Sequence, residues 1–275
     1  MTAIVTALAN QSGGCGKTTS TTSLAAVVAD AFKAMPGRHR GLIIDADLQC
    51  DTSHIFGYTD PDELEGQANL NDVLAGDTSM KEAVVSTPFE SIDLILGSGR
   101  TAAAEKNLGR ETGGELRLRT ALDEVLDDYD FVFIDSPASL GVLAVNIFAV
   151  ADHVIACVKP GLKEIRALVK LEYTIDEVNQ KINRLFRRHL SLTGVLIADI
   201  PSKWAGKIYQ QSVEYAKQEY GDRVLPGVAR DVRVVEAYAN QTPLPVYDPT
   251  SRAAKDYREV AKAMVAKHML PALTL

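Results

Sequence analysis

One short run near the start of the chain constrains its fold more than anything else: Gln11-Ser12-Gly13-Gly14-Cys15-Gly16-Lys17-Thr18-Thr19. An apolar, strand-like stretch at residues 3–8 precedes it, and a helical stretch at 18–35 follows. In the latter, Leu24, Val27, Val28, Ala31 and Phe32 share one face and Pro36-Gly37 marks the stop. A glycine-rich turn between a strand and a helix suits a phosphate group. Glycines let successive backbone N–H groups converge on phosphate oxygens, and the helix N-terminus adds a favourable dipole. Lys17 is placed to reach the β- and γ-phosphates, and the Thr18 hydroxyl to ligate Mg²⁺. Glycine pairs in loops are usually plain turns, but Gly-Gly-x-Gly-Lys-Thr-Thr in this context is far more specific. The ordinary pattern GxxxxGK[ST] is not met, because its first glycine position holds Gln11.

Strand-like runs recur at residues 41–44, 92–96, 131–134, 153–158 and 192–198. Helical runs at 115–126, 140–150, 163–186 and 205–220 fall between them. Such alternation predicts an α/β fold of P-loop NTPase type, a mostly parallel sheet with helices on both faces. Ligands then bind beyond the C-terminal ends of the strands. Residues 59–72 and 97–114 read as loops without a composition shift, so one domain over 1–275 is expected. Apolar residues make up 46% and charged residues 24%, with a net charge of −7. These values exclude a disordered chain and a basic nucleic-acid tail. Cys15, Cys50 and Cys157 offer neither a closed disulfide framework nor metal-ligand spacing, which suits a reduced cytosolic protein. No stretch approaches the roughly 20 apolar residues of a spanning helix, and no signal peptide is evident.

Two further motifs end apolar strands with acids: Leu42-Ile43-Ile44-Asp45-Ala46-Asp47-Leu48-Gln49 and Tyr129-Asp130-Phe131-Val132-Phe133-Ile134-Asp135-Ser136-Pro137. Three carboxylates on the sheet edge that carries a phosphate loop are suited to Mg²⁺ and water. With the phosphate loop, these motifs resemble the ParA/MinD family of deviant Walker-box ATPases, and more closely its ParA branch. Asn71–Gly76, Arg230–Ala237 and Tyr247–Tyr257 are similar to further family segments, in the right order along nearly the whole chain.

The resemblance implies ATP and Mg²⁺ as cofactors and a nucleotide loop of Ser12, Gly13, Gly14, Cys15, Gly16, Lys17, Thr18 and Thr19. It implies Mg²⁺ at Thr18 and Asp135, Asp47 as the aspartate that orients the attacking water, and Asp45 in support. It departs from the family at Ser12, where most members carry a signature lysine that crosses a dimer to the partner's phosphates. Cationic fingers at related sites accelerate hydrolysis by roughly 10³–10⁵. Either turnover is slow, or Lys159, Lys163 or Arg166 substitutes.

Residues 201–275 hold 11 Lys/Arg against 8 Asp/Glu, leaving 18 against 28 in the first 200. The ParA branch binds DNA without sequence preference, and Lys203, Lys207, Arg233, Arg252 and Lys255 are the candidates here. The tail lacks the bulky apolar face of an interfacial membrane helix, so docking onto the sheet is expected. Arg184, Arg187 and Arg188 read as a basic helix C-terminus. No cysteine set supports the iron–sulfur reductase branch.

The function implied is an ATP-dependent partition ATPase, cytoplasmic and nucleoid-associated. It would dimerise on ATP, bind DNA, and be released by a ParB-like partner or cargo adaptor. A carboxysome-type positioning ATPase and a nearly non-hydrolysing ATP-gated module are the alternatives.

Overall fold

The computed structural model describes residues 3–202 and 207–275. Its strands are β1 (Ile4–Ala9), β2 (Gly41–Asp45), β3 (Val84–Ser86), β4 (Ile92–Ile95), β5 (Phe131–Asp135), β6 (His153–Val158) and β7 (Leu192–Ile197). They form one sheet in the order β3-β4-β2-β5-β1-β6-β7. Six strands run parallel, and β3 pairs antiparallel with β4 on the edge.

Strand residues alternate between two cores, as a pleated sheet buried on both faces requires. Val5, Ala7, Leu42, Ile44, Val132 and Ile134 enter one. Leu8, Ile43, Phe131 and Phe133 enter the other. The first core lies under α3 (Leu70–Ala75), α4 (Met80–Ala83), α6 (Arg117–Leu122), α7 (Val142–Val150) and α9 (Leu168–Lys181). The second lies under α1 (Lys17–Phe32) and α13 (Arg252–Ala266). The remaining helices are α2 (Asp51–Ile55), α5 (Thr101–Leu108), α8 (Leu162–Arg166), α10 (Lys207–Tyr220), α11 (Arg233–Ala239) and α12 (Leu244–Tyr247).

The expected strands and the helix after the glycine-rich loop are present. Several other expectations need correction. The long helix expected at 163–186 is split into α8 and α9, with a 3₁₀ turn at Asn183–Phe186 that ends at Arg187 in a left-handed conformation. The helix expected at 115–126 keeps only Arg117–Leu122. Asp123, Glu124, Asp127 and Asp128 follow it, and acids at a helix C-terminus oppose its dipole. The stretches read as loops contain α5 and the start of α3. The latter is fixed by a capping box in which Asn69 accepts from Asn71 N–H and Asp72 accepts from Asn69 N–H. Edge strand β3 has three residues, too few for alternation to reveal.

The tail docks as expected. Tyr257, Val260, Ala261 and Met264 of α13 are buried against α1 and the sheet, each large apolar side chain contributing about 1.5–3 kcal/mol. Thr6 donates from Oγ1 to the Met269 carbonyl at 3.2 Å. Arg188 does not serve its own helix. Its guanidinium donates to the carbonyls of Ala149, Val150 and Ala151 and to Asp152, capping the C-terminus of α7.

Candidate nucleotide site at the sheet edge

Asp45 and Asp135 are register partners on β2 and β5, and Leu8 of β1 is opposite Asp135. Three adjacent strands therefore end together, with β5 between β2 and β1, and the glycine-rich loop leaves from β1. Gly14 and Gly16 have φ of +66° and +91°, where an L side chain is strained. Gly16 also caps α1, and no side chain bonds the first amides of that helix. Those N–H groups remain available to an anion.

Asn10, which the sequence reading passed over, braces the loop. Its amide donates to the Cys157 carbonyl at 2.5 Å and its oxygen accepts from Ser12 N–H at 3.2 Å. Its signal was a polar residue closing an apolar strand. Cys15 and Cys157 are buried, and burial pushes both thiols up, so they stay protonated.

Lys17 is buried and its ammonium lies 3.8 Å from an Asp47 carboxylate oxygen. Thr18 donates to Asp135 Oδ2 at 2.7 Å, and Thr52 of α2 donates to the same oxygen at 2.8 Å. Asp135 Oδ1 is buried without a partner. Burial pushes the Asp135 carboxyl up to about 6, against the lowering effects of Thr18, Lys17 and Thr52. Asp45 is also fully buried and accepts from Ser53 Oγ at 2.7 Å and Ser53 N–H at 2.8 Å. Burial first, and Asp135 second, push it up to about 8. Consecutive residues of α2, Thr52 and Ser53, thus hold the two acids. Neither was anticipated, because hydroxyls on a five-residue helix carry no sequence signal of their own.

These groups fit a hydrated Mg²⁺ that arrives with phosphates. The Thr18 hydroxyl keeps lone pairs free while donating to Asp135, and the orphaned Asp135 Oδ1 can accept from a metal-bound water. No group of three or more acidic, His or Cys side chains among the described residues forms a metal site of its own. A magnesium ion held largely by phosphate oxygens and water needs none.

A cavity of about 460 Å³ opens beside the loop, lined by Gly14, Gly16, Asp199, Arg230, Val232 and Val235 among others. Asp199, with φ of +60°, accepts from Arg230 at 2.7 and 3.0 Å and lies 3.7 Å from the Lys159 ammonium. Of the three candidate cations, Lys159 therefore shares an acid with Arg230. Arg166 lies over the Tyr215 ring at 5.7 Å, while Lys163 is exposed with no ion pair among the described residues.

The basic candidates are less concentrated. Arg233 pairs with Glu236 at 2.5 Å and Asp248 at 3.5 Å. Lys207, Arg252 and Lys255 are exposed on α10 and α13. Lys203 lies outside the described residues. No helix among the described residues is long and apolar enough to cross a membrane.

Residues 3–188 match the AAA domain family. The chain is 31% identical over 263 residues to the sporulation initiation inhibitor protein Soj of Bacillus subtilis, covering 95% of this chain and 98% of that protein. It is 30% identical over 268 residues to the chromosome partitioning protein ParA of Caulobacter vibrioides, covering 96% and 94%. Among solved structures, a Mycobacterium smegmatis protein named cobyrinic acid a,c-diamide synthase, with bound ADP and magnesium, superposes with a TM-score of 0.79. The two are 28% identical, with 99% and 100% coverage. Apo McdA of Cyanothece shares the fold, with a TM-score of 0.80 at 20% identity and coverage of 95% and 99%. The activities these names carry differ, and what the proteins share is the fold. With a family match over most of its length and relatives at 30% identity or more along nearly all of it, the chain belongs to the ParA/MinD family of P-loop ATPases.

Proposed function

We propose that this protein is an ATP-dependent partition or positioning ATPase, a single functional domain that binds Mg·ATP, dimerises and associates with DNA without sequence preference. The observation that carries the reading is the convergence of Lys17, Thr18, Asp47 and Asp135 around a glycine-rich loop whose amides are free to bind phosphate. The partition relatives extend it from nucleotide binding to cargo movement.

Lys17 holds the β- and γ-phosphates, leaving Asp47, 3.8 Å away, free to orient a water. Ser12, Gly13, Gly14, Cys15, Gly16 and Thr19 supply the rest of the phosphate cradle, mainly through backbone amides. Thr18 and Asp135 hold the Mg²⁺ side. Bound magnesium supplies charge neutralisation on the phosphoryl oxygens. Asp45 keeps α2 in place through Ser53. The base side of the nucleotide occupies the cavity next to Asp199 and Arg230.

Ser12 cannot provide the transition-state cation, so basal turnover is slow unless Lys159, Lys163 or Arg166 supplies it. Lys163 is the best candidate, because Asp199 engages Lys159 and the Tyr215 ring engages Arg166, whereas Lys163 is in no ion pair or ring contact among the described residues. DNA binding uses Lys203, Lys207, Arg233, Arg252 and Lys255. The cycle places the protein in the cytoplasm on the nucleoid, with a ParB-like protein or a cargo adaptor as its stimulating partner. Differential affinity of the ATP and ADP states for DNA makes it a switch.

The test is ATP turnover with and without DNA, alongside sedimentation with Mg·ATP and Mg·ADP. Wild type should dimerise only with ATP, and Lys17→Ala should neither dimerise nor turn over. Asp47→Ala should dimerise and hydrolyse at least about 10²-fold more slowly. Lys163→Ala at the wild-type rate removes that residue as the substitute cation. A wild-type monomer under saturating Mg·ATP refutes the dimer.

A further inference from the structure

Helix α2 holds more than the two buried acids. On its outer side Asp51 Oδ1 accepts from the Tyr238 hydroxyl at 2.8 Å. The His54 ring packs on the Tyr238 ring, with centroids 4.7 Å apart. Just beyond α2, Thr59 Oγ1 accepts from the Gln241 amide at 2.8 Å. Tyr238 is on α11, the helix that also carries Arg233 and Val235 and follows Val232. Val232 and Val235 are 67% and 69% exposed at the rim of the cavity beside the loop, and Arg233 between them is paired with Glu236 and Asp248. Four consecutive residues of α2 therefore join three groups. Thr52 bonds Asp135, Ser53 bonds Asp45, and Asp51 and His54 grip Tyr238.

We infer that the Asp51–Tyr238 contact couples the nucleotide site to the exposed face of α11, with Tyr238 acting as a positioning residue rather than a catalytic one. Three features carry this. First, α2 is only five residues long, so it moves as a unit when either carboxylate it holds is redirected. Second, both of those acids are buried and lie at the Mg²⁺ side of the loop, where phosphate and metal change the local charge most. Third, the link to α11 depends on one directional hydrogen bond and one ring contact. Such a link transmits a shift without sharing the chemistry. The neighbouring Gln241–Thr59 bond keeps the two segments in register but reaches no residue of the nucleotide loop.

Coupling is reciprocal. A nucleotide that alters α11 through this contact must itself be bound differently when α11 is occupied. The mechanical part of the inference stands on the contacts alone; the identity of what α11 touches rests on the DNA reading given above.

Hydrogen exchange of the α11 backbone amides, measured with and without saturating Mg·ATP, tests it directly. In wild type, Mg·ATP should change their exchange by about fivefold or more. Tyr238→Phe, which removes only the hydroxyl, should cut that response to below about twofold while nucleotide affinity stays within about twofold of wild type. Asp51→Asn retains an oxygen acceptor for Tyr238 and should preserve the response. That distinguishes coupling from a general loss of packing.

A full response in Tyr238→Phe, or none in wild type, overturns the inference. In parallel, the ATP-over-ADP preference in binding duplex DNA should fall in Tyr238→Phe and persist in Asp51→Asn. If wild type binds no DNA yet the exchange response is present and lost in Tyr238→Phe, the coupling stands and the DNA reading fails.

Discussion

Asp45 gives the account its sharpest physical test. Its carboxyl is fully buried beside Asp135 and is pushed up to about 8, from an unfolded value near 3.8. Between those values the folded protein binds a proton that the unfolded chain has released. Stability conferred by the neutral carboxyl is therefore complete below about pH 4 and is lost as pH rises through 8. Asp135, at about 6, acts the same way over a shorter range. Above pH 6 the loss belongs to Asp45 alone, at up to about 1.4 kcal/mol per pH unit.

From pH 6 to 7.5 this amounts to about 2 kcal/mol, or roughly 4–8 °C in melting temperature for a chain of this size. Asp45→Asn cannot ionise but retains an oxygen for Ser53. Urea unfolding without nucleotide or Mg²⁺, across pH 5 to 8, should find the variant gaining on wild type by about that amount between pH 6 and 7.5. Parallel curves for the two proteins refute the assignment of the buried charge to Asp45.

Three other outcomes follow from named contacts. Asn10→Ala leaves the Cys157 carbonyl and Ser12 N–H without their partner, so ATP affinity should fall about tenfold while the melting temperature drops by a few degrees, read by calorimetric titration and melting. Thr52→Val removes one of the two donors to Asp135 Oδ2, so stability should fall by about 1–3 kcal/mol in urea and the Mg²⁺ concentration needed for half-maximal turnover should rise. Arg188→Ala uncaps α7 far from the nucleotide edge, and should cost about 1–3 kcal/mol in urea with turnover by the folded protein unchanged.

The sheet was legible because its strands are buried on both faces. Runs such as Leu42-Ile43-Ile44 and Phe131-Val132-Phe133 have no solvent side to dilute the signal. The phosphate loop was legible because Gly14 and Gly16 occupy backbone conformations that other residues avoid. Short helices were less so. α5 and α11 take their stability from docking rather than from propensity. The break between α8 and α9 falls at Ala167, where apolar spacing does not signal one because Ile165 and Leu168 are buried on the same core as they would be in a continuous helix. At the site, charged residues announced themselves at strand ends, whereas Asn10, Thr52 and Tyr238 act through contacts to residues distant in sequence. Arg188 was legible as basic but not as the cap of a helix ending 38 residues earlier.

Equilibrium binding of a random-sequence duplex DNA with Mg·ATP, with Mg·ADP and without nucleotide, using Lys17→Ala as control, tests the central claim most directly. The account predicts tight, salt-sensitive binding in the ATP state alone, lost in Lys17→Ala. Equal binding in all three states, or none in any, contradicts an ATP-gated DNA switch.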